Sequence, residues 1–327
     1  MIKKDQEKFT IIIPSKIFDN NLNNCLKRIR NYYKHIKIIV LLDKKNTNSK
    51  FSKTKIVVTG PSTIGYKRNF AAKLTKTKYI SFIDSDAYPT HKWLDIVLKN
   101  FKKSNRRTII VGGPNLSPKT NNIEKKLVAR SRLLPFVTLN NFIKNKNSKK
   151  NYVKYLPACN FTVERYFFLK LGGMHAKKYS AEELPFLKKV NDSNFKILFD
   201  PKSYIYHKDR DFKHYFRQRF VYGSNAIYYF MNFPNKETFF LMLSTLPFIY
   251  LLFFPFIFTN LLFLFVYLFG TFFLIIFLIA SAIKINYGKY FFKSLKLSVI
   301  SVFTPGYGFI LGLFKKSETI RNIYTQE

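Results

Sequence analysis

Asp84 and Asp86, separated only by Ser85, close the apolar run Tyr79-Ile-Ser-Phe-Ile83. In a solvated turn such a pair is commonplace. At the end of a buried strand it offers hard oxygen ligands, suited to a divalent cation that keeps waters and takes substrate phosphates as its other ligands. The placement is unusual for this chain, which has 18 acidic residues against 56 basic ones. A further carboxylate, Asp43, closes the apolar run 35–42. The two cysteines, Cys25 and Cys159, lie far apart and make neither a disulfide framework nor a metal knuckle, so they read as buried, reduced thiols.

The elements that must hold these acids alternate in type. Phe9 to Ile13 reads as a strand stopped by Pro14 and Ser15. Residues 20–33 carry Leu22, Cys25, Leu26 and Ile29 at helical spacing. Residues 35–42 and 55–58 read as the next strands, 65–74 as a helix and 79–83 as a fourth strand. Pro89-Thr90 opens a helix bearing Trp93, Leu94, Val97, Leu98 and Phe101. Strands alternating with helices imply a mostly parallel sheet covered on both faces, with ligands at the carboxyl ends of its strands. Asp43 and Asp84 both fall there. Residues 117–152 are polar and rich in Asn and Lys around the patch LLPFVTL, and read as an insertion. Structure resumes at 155–162 and continues through Gly172-Gly173. A helix is expected from Ala181 to about Asn191, then short strands at 196–199 and 203–206. Residues 211–230 form an aromatic, basic helix whose Tyr-rich end fits a membrane interface.

From Phe239 to Ile283 there is no charged residue. That is about twice the ~20 residues needed to cross a bilayer. Two spans, 238–258 and 261–283, are expected, broken near Thr259-Asn260. The loop bearing Lys284, Lys289, Lys293 and Lys296 then returns to the cytoplasm. Leu297 to Phe314, with Thr304-Pro305-Gly306 and Gly308, reads equally as a third span or as an interfacial or re-entrant segment. The first ten residues carry no apolar run, so no cleavable signal peptide is expected. These features divide the 327 residues into a globular domain over 1–232 and a membrane region over 233–327. The protein is expected in the cell (inner) membrane, multi-pass, with its globular part cytoplasmic. The net charge of +38 is spread along a chain biased toward Lys, Asn, Ile, Phe and Tyr. Nucleic acid is therefore not the expected partner; anionic membrane lipids, attracted at about 1 kcal/mol per nearby basic residue, account for the charge.

Further motifs stand in a telling order. The strand FTIIIPS is followed by Gly65-x-x-Arg68-Asn69 and then Asp84-Ser85-Asp86. Gly112-Gly113-Pro114 follows a strand, and Pro157-Ala158-Cys159-Asn160 leads into Val163-Glu164-Arg165. Gly172-Gly173-Met174, Ser180-Ala181-Glu182-Glu183 and His207 come after. Together these resemble the family 2 glycosyltransferases of the nucleotide-sugar-binding GT-A fold, over roughly residues 8 to 230. The resemblance implies a Rossmann-like α/β domain, a nucleotide-sugar donor, a divalent cation (Mn2+ or Mg2+) and a lipid-linked or glycan acceptor, as in cell-envelope polysaccharide biosynthesis. It gives the 117–152 insertion a place on the acceptor side.

What the resemblance implies for single residues follows. Asp43 would bond the donor nucleobase, bordered by Pro14 and Ser15. Arg68 would lie near the diphosphate or ribose, or else tie a helix to the sheet. Asp86 would bind the metal, Asp84 the ribose or metal, and His207 would be a further ligand or a structural histidine. The family's Glu-Asp pair is Glu182-Glu183 here. Glu183 in the second position would be the base that deprotonates the acceptor. Ser180-x-x-Glu183 also matches a helix capping box, which would leave the chemistry to Glu182. Pro185 replaces an acid often found there. Arg217 and Arg219, in a basic aromatic segment, would meet acceptor phosphate or lipid headgroups. The Gln-x-x-Arg-Trp of long-polysaccharide synthases is missing, which argues against a processive polymerase. A polyprenyl-phosphate sugar synthase of the same fold, a membrane-tethered nucleic-acid-binding protein and a non-catalytic scaffold are the alternatives.

Overall fold

The structure is a computed structural model that describes residues 3–45, 50–134, 136–137, 149–177 and 180–314. The chain divides into two compact units, Met1–Pro118 with Asn141–Lys208, and Lys119–Asn140 with Asp209–Glu327.

The first unit opens with α1 (Lys3–Gln6), β1 (Phe9–Pro14), α2 (Asn20–Tyr32), β2 (Lys37–Leu42) and β3 (Thr54–Val58). There follow α3 (Ile64–Leu74), β4 (Tyr79–Phe82), β5 (Ala87–Pro89), α4 (Trp93–Lys103), β6 (Thr108–Gly112) and β7 (Asn115–Leu116). After α5 (Ile123–Ser131), which belongs to the second unit, come β8 (Asn151–Val153), β9 (Phe161–Glu164) and α6 (Arg165–Lys170). The unit ends with α7 (Leu184–Asp192), β10 (Lys196–Phe199) and β11 (Ile205–His207).

Its main sheet has eight strands in the order β3-β2-β1-β4-β9-β6-β10-β8. β9 runs against both β4 and β6, and β8 against β10; the other strands share one direction. The expected mostly parallel α/β sheet is present, with two antiparallel strands that apolar runs alone do not foretell. Alternation along β1 sends Ile11 and Ile13 to the face covered by α2 and α4. Ile12 goes to the opposite face, packed with Phe168 of α6 and Phe186 of α7. A small second sheet, β5-β11-β7, stands at the site.

The second unit contains α5 together with α8 (Phe212–Ser224), α9 (Ala226–Asn232), α10 (Lys236–Leu243), α11 (Leu246–Leu251), α12 (Leu261–Ile285) and α13 (Phe291–Phe314). The expected insertion thus contributes a helix to this unit; residue 135 and residues 138–139 of its apolar patch lie outside the described residues. The expected span over 238–258 is not one helix. It is α10, α11 and a 3-10 turn at Phe254–Phe258, with Pro247 and Pro255 at two of the restarts. Ser244 and Thr245 hydroxyls donate to the carbonyls of Leu241 and Met242, supplying partners at the first break. The two helices long and apolar enough to cross a membrane are α12 and α13. α13 continues through Pro305, so the segment left open between a span and an interfacial piece is one 24-residue helix. It packs closely on α8: a Cβ added at Gly308 would meet the Phe220 backbone, and one at Gly223 the Pro305 backbone.

Candidate active site

The site forms where β4 stops. Ile83 N still bonds Ile12 O at 3.2 Å, and Ala87 N then bonds Asp84 O at 3.0 Å. The chain therefore turns tightly through Asp84-Ser85-Asp86 at the strand end. β5 leaves this turn and pairs antiparallel with β11, setting His207 opposite Ala87. Lys208 N donates to Asp86 O at 3.2 Å and closes the corner. Sheet pairing thus carries a histidine from far along the sequence to the two aspartates. His207 Nε2 lies 3.0 Å from Asp86 Oδ1 and 4.0 Å from Asp84 Oδ2. Ligand atoms of Asp84, Asp86 and His207 all fall within 4.8 Å of one another. Burial opposes a charged imidazole, but the Asp86 carboxylate outweighs it and holds His207 well above its ordinary range. His207 Nε2 thus faces both carboxylates, the arrangement of a ligand atom aimed into a shared site.

Arg68 ties this cluster to a second acidic pair. Thr63 caps α3 by accepting from Tyr66 N at 3.1 Å. Gly65 lets the helix approach the chain at His175 and Glu182, where a Cβ would run into the His175 carbonyl. Arg68, 2% exposed, then donates 2.7 Å to Asp84 Oδ1 through Nη2 and to Glu182 Oε1 through Nη1. Burial opposes its charge, and Asp84 and Glu182 more than restore it. Asn69 holds the Gly172-Gly173-Met174 turn, with 2.8 Å bonds to Met174 O and from Met174 N.

Glu183 is differently set. It stands before α7, which begins at Leu184 rather than the expected Ala181, and no capping box forms through its side chain. Its carboxylate accepts instead from Tyr155 Oη at 2.8 Å. Burial, then the charge of Glu182, push Glu183 up to about 7, against the Tyr155 hydrogen bond and Arg68. Pro185 occupies the first turn of α7, where its missing N–H costs nothing.

On the other side of β1, Asp43 follows β2 and lies 2.5 Å from Lys67 Nζ. Lys67 also donates to Ser15 O, so Ser15, Asp43 and α3 are drawn together at the strand ends. Pro14 is the last residue of β1, and Ser15 N continues the pairing to Leu41 O at 2.9 Å. The sequence motifs did not single out Lys67 or Tyr155. Lys67 had a signal, being a basic residue beside Arg68 on a helix with Asp43 in need of a partner. Tyr155 had none that distinguishes it from a core aromatic. Both cysteines are free and buried, and both border the acids. Cys25 Sγ donates to Asp84 O at 3.9 Å, and Cys159 hydrogen-bonds His207.

Arg217 and Arg219 belong to the second unit. Arg219 is buried on α8, on the face that carries Tyr215, whereas Arg217 is partly exposed on another face.

The sequence profile of glycosyl transferase family 2 matches residues 10–172. That interval takes in Asp43, Arg68, Asp84 and Asp86. The chain belongs to this family, and its mostly parallel α/β sheet is the GT-A-like fold expected from the sequence. No curated protein matches it. Among solved structures it is similar to the mannosyltransferase PcManGT from Pyrobaculum calidifontis, in complex with GDP-Man and Mn2+. There the identity is 13%, with 68% of this chain and 63% of that one covered, at a TM-score of 0.49. S. aureus TarS shares 14% identity over 71% of this chain and 41% of its own, at 0.47. TarS 1-349 in complex with UDP-GlcNAc shares 14% over 71% and 69%, at 0.46. The chain thus spans less than two thirds of the first two.

Proposed function

We propose that the protein is an inverting, metal-assisted glycosyltransferase that moves a sugar from a nucleoside diphosphate to a hydroxyl of a membrane-associated, lipid-linked acceptor. One observation carries this reading: the Asp84–Asp86–His207 cluster is joined through Arg68 to the Glu182-Glu183 pair. Two carboxylates and an imidazole fit a divalent cation such as Mn2+ or Mg2+. Bound by Asp86, Asp84 and His207, it supplies charge neutralisation for the leaving diphosphate.

The chain's own groups do the rest. Asp43, held by Lys67 beside Ser15 and Pro14, meets the donor base. Arg68 gives a fixed positive charge beside the phosphates, needing no reorganisation as charge develops. Glu182 is committed to its ion pair with Arg68, which makes it a positioning group. Glu183, poised near neutrality, takes the acceptor proton as the hydroxyl attacks the anomeric carbon opposite the leaving group. The membrane part of the reading is supported by α12 and α13 and by the basic loop between them.

Thermal shift with UDP, GDP and dTDP sugars, with and without Mn2+ or Mg2+, tests it. One nucleotide is expected to stabilise the wild type in a metal-dependent way, and Asp86→Ala to abolish the shift. A wild type indifferent to all of them would refute the reading.

A further inference from the structure

Lys67 lies on α3 with its side chain only 3% exposed, so it cannot itself reach a ligand. Its Nζ lies 2.5 Å from Asp43 Oδ1 and donates to Ser15 O. Asp43 is also fixed along the backbone. Its N–H donates to Lys16 O at 2.8 Å, and Thr59 N donates to the neighbouring Leu42 O at 2.9 Å. The carboxylate is therefore held in one orientation. Its two oxygens are unequal: Oδ1 is buried, whereas the side chain as a whole is 22% exposed. Among the described residues no hydrogen bond engages Oδ2, which is left as the oxygen that can accept from a ligand.

An ionised carboxylate accepts hydrogen bonds and donates none. With one oxygen accessible it suits a base edge that offers one N–H. The imide edge of uracil or thymine is such an edge, with N3–H between two carbonyls. Guanine presents two donors side by side, N1–H and the N2 amino group, and needs both oxygens of a carboxylate. Here its second donor would be desolvated without a partner. Cytosine and adenine set a ring-nitrogen lone pair beside their amino group, and that lone pair would be pressed against Oδ2.

We propose that Lys67, by taking Asp43 Oδ1, makes Asp43 a single acceptor and so selects a uracil or thymine nucleoside diphosphate as the donor. The inference rests on the reading that Asp43 meets the donor base, and adds to it a base class and a positioning residue that touches no substrate.

Calorimetric titration of the full-length protein in detergent with UDP, dTDP, GDP, CDP and ADP, at one Mn2+ concentration, tests it. The diphosphate and the cation are common to all five ligands, so ratios of affinity isolate the base. UDP or dTDP should bind the wild type about tenfold or more tightly than GDP, CDP or ADP, the usual penalty for a buried unpaired group. The first two arms distinguish uracil from thymine. Lys67→Met should weaken the favoured ligand and narrow its advantage over GDP severalfold, because the released Asp43 can offer both oxygens. A purely structural role for Lys67 would lower stability and leave that ratio unchanged. Asp43→Asn keeps the shape of the side chain and decides the matter if Lys67→Met does not fold. Lys67 would retain the amide oxygen and turn the NH2 outward, lowering UDP and dTDP affinity about tenfold or more and favouring CDP, whose N3 accepts. GDP, CDP or ADP binding the wild type as tightly as UDP and dTDP overturns the proposal. So does an unchanged ratio in folded Lys67→Met, or a preference for UDP or dTDP that persists in Asp43→Asn. A wild type that binds none of the five overturns it together with the nucleotide-sugar reading, so the two failures are distinct.

Discussion

At Glu183 opposed influences set the charge state. Burial and the neighbouring Glu182 favour the proton, while Tyr155 and Arg68 favour the carboxylate, and the balance falls at about 7. A base works only when deprotonated, so turnover should climb through pH 7 and level off above it. Tyr155→Phe removes a bond made to the charged form and should move that limb to higher pH; an unmoved limb would detach Glu183 from the rate. Glu183→Gln should lower kcat by about 100- to 10,000-fold, the usual worth of a general base. A loss of only a few fold would favour a phosphate nucleophile, as in a polyprenyl-phosphate sugar synthase, which needs no strong carboxylate base. The effect on stability has its own sign. A carboxyl whose folded value is raised holds its proton more tightly when folded, so its contribution is full below the ordinary 4.5 and is lost as pH rises to about 7.

Among the elements, α3 does most to assemble the site, since Lys67, Arg68 and Asn69 leave it for three different loops. That requires the backbone at Gly65 to touch the His175 carbonyl and the Glu182 Cβ. Gly65→Ala should push α3 outward, cost about 1–3 kcal/mol as overpacking does, and slow turnover by loosening Arg68 from Glu182. Chemical denaturation and kinetics on the one variant measure both, and a fully stable, fully active protein would show that the approach is dispensable. Much of this layer was legible from sequence. Apolar runs closed by Pro14, Asp43 and Asp84 marked β1, β2 and β4, because buried parallel strands are continuous in hydrophobicity. The direction of β9 was not, since a period of two is the same in either direction. The Ser180-x-x-Glu183 pattern was legible but double-valued. Ala181, at φ +54, takes a left-handed turn there, and α7 starts after it. Only the fold could therefore give Glu183 to Tyr155. His207 reached the aspartates through β5–β11 pairing, a contact without a local signature.

Across the whole molecule, charge and helix length must agree on one topology. If only α12 and α13 cross the bilayer, a cytoplasmic globular unit would leave Asn286–Tyr290, flanked by Lys284, Lys293 and Lys296, on the outer side. Short basic loops strongly prefer the cytoplasm. The preference is met if residues 236–258 also cross as a chain of short helices. At ~1.5 Å per helical residue that segment has reach enough for a ~30 Å core. Its breaks are tolerable because Ser244, Thr245 and Thr259 hydroxyls bond carbonyls of the preceding turn. We therefore expect a cysteine placed at Gly288, an open position, to react with a membrane-impermeant maleimide only from the cytoplasmic face. A cysteine at Asn260 should react only from the opposite face. The native Cys25 and Cys159 are buried and should stay silent in the folded protein. Labelling of Gly288→Cys from outside would leave 236–258 on the cytoplasmic side and make α12 and α13 a simple hairpin. Labelling of both positions from the cytoplasm would mean that α12 lies along the membrane rather than through it.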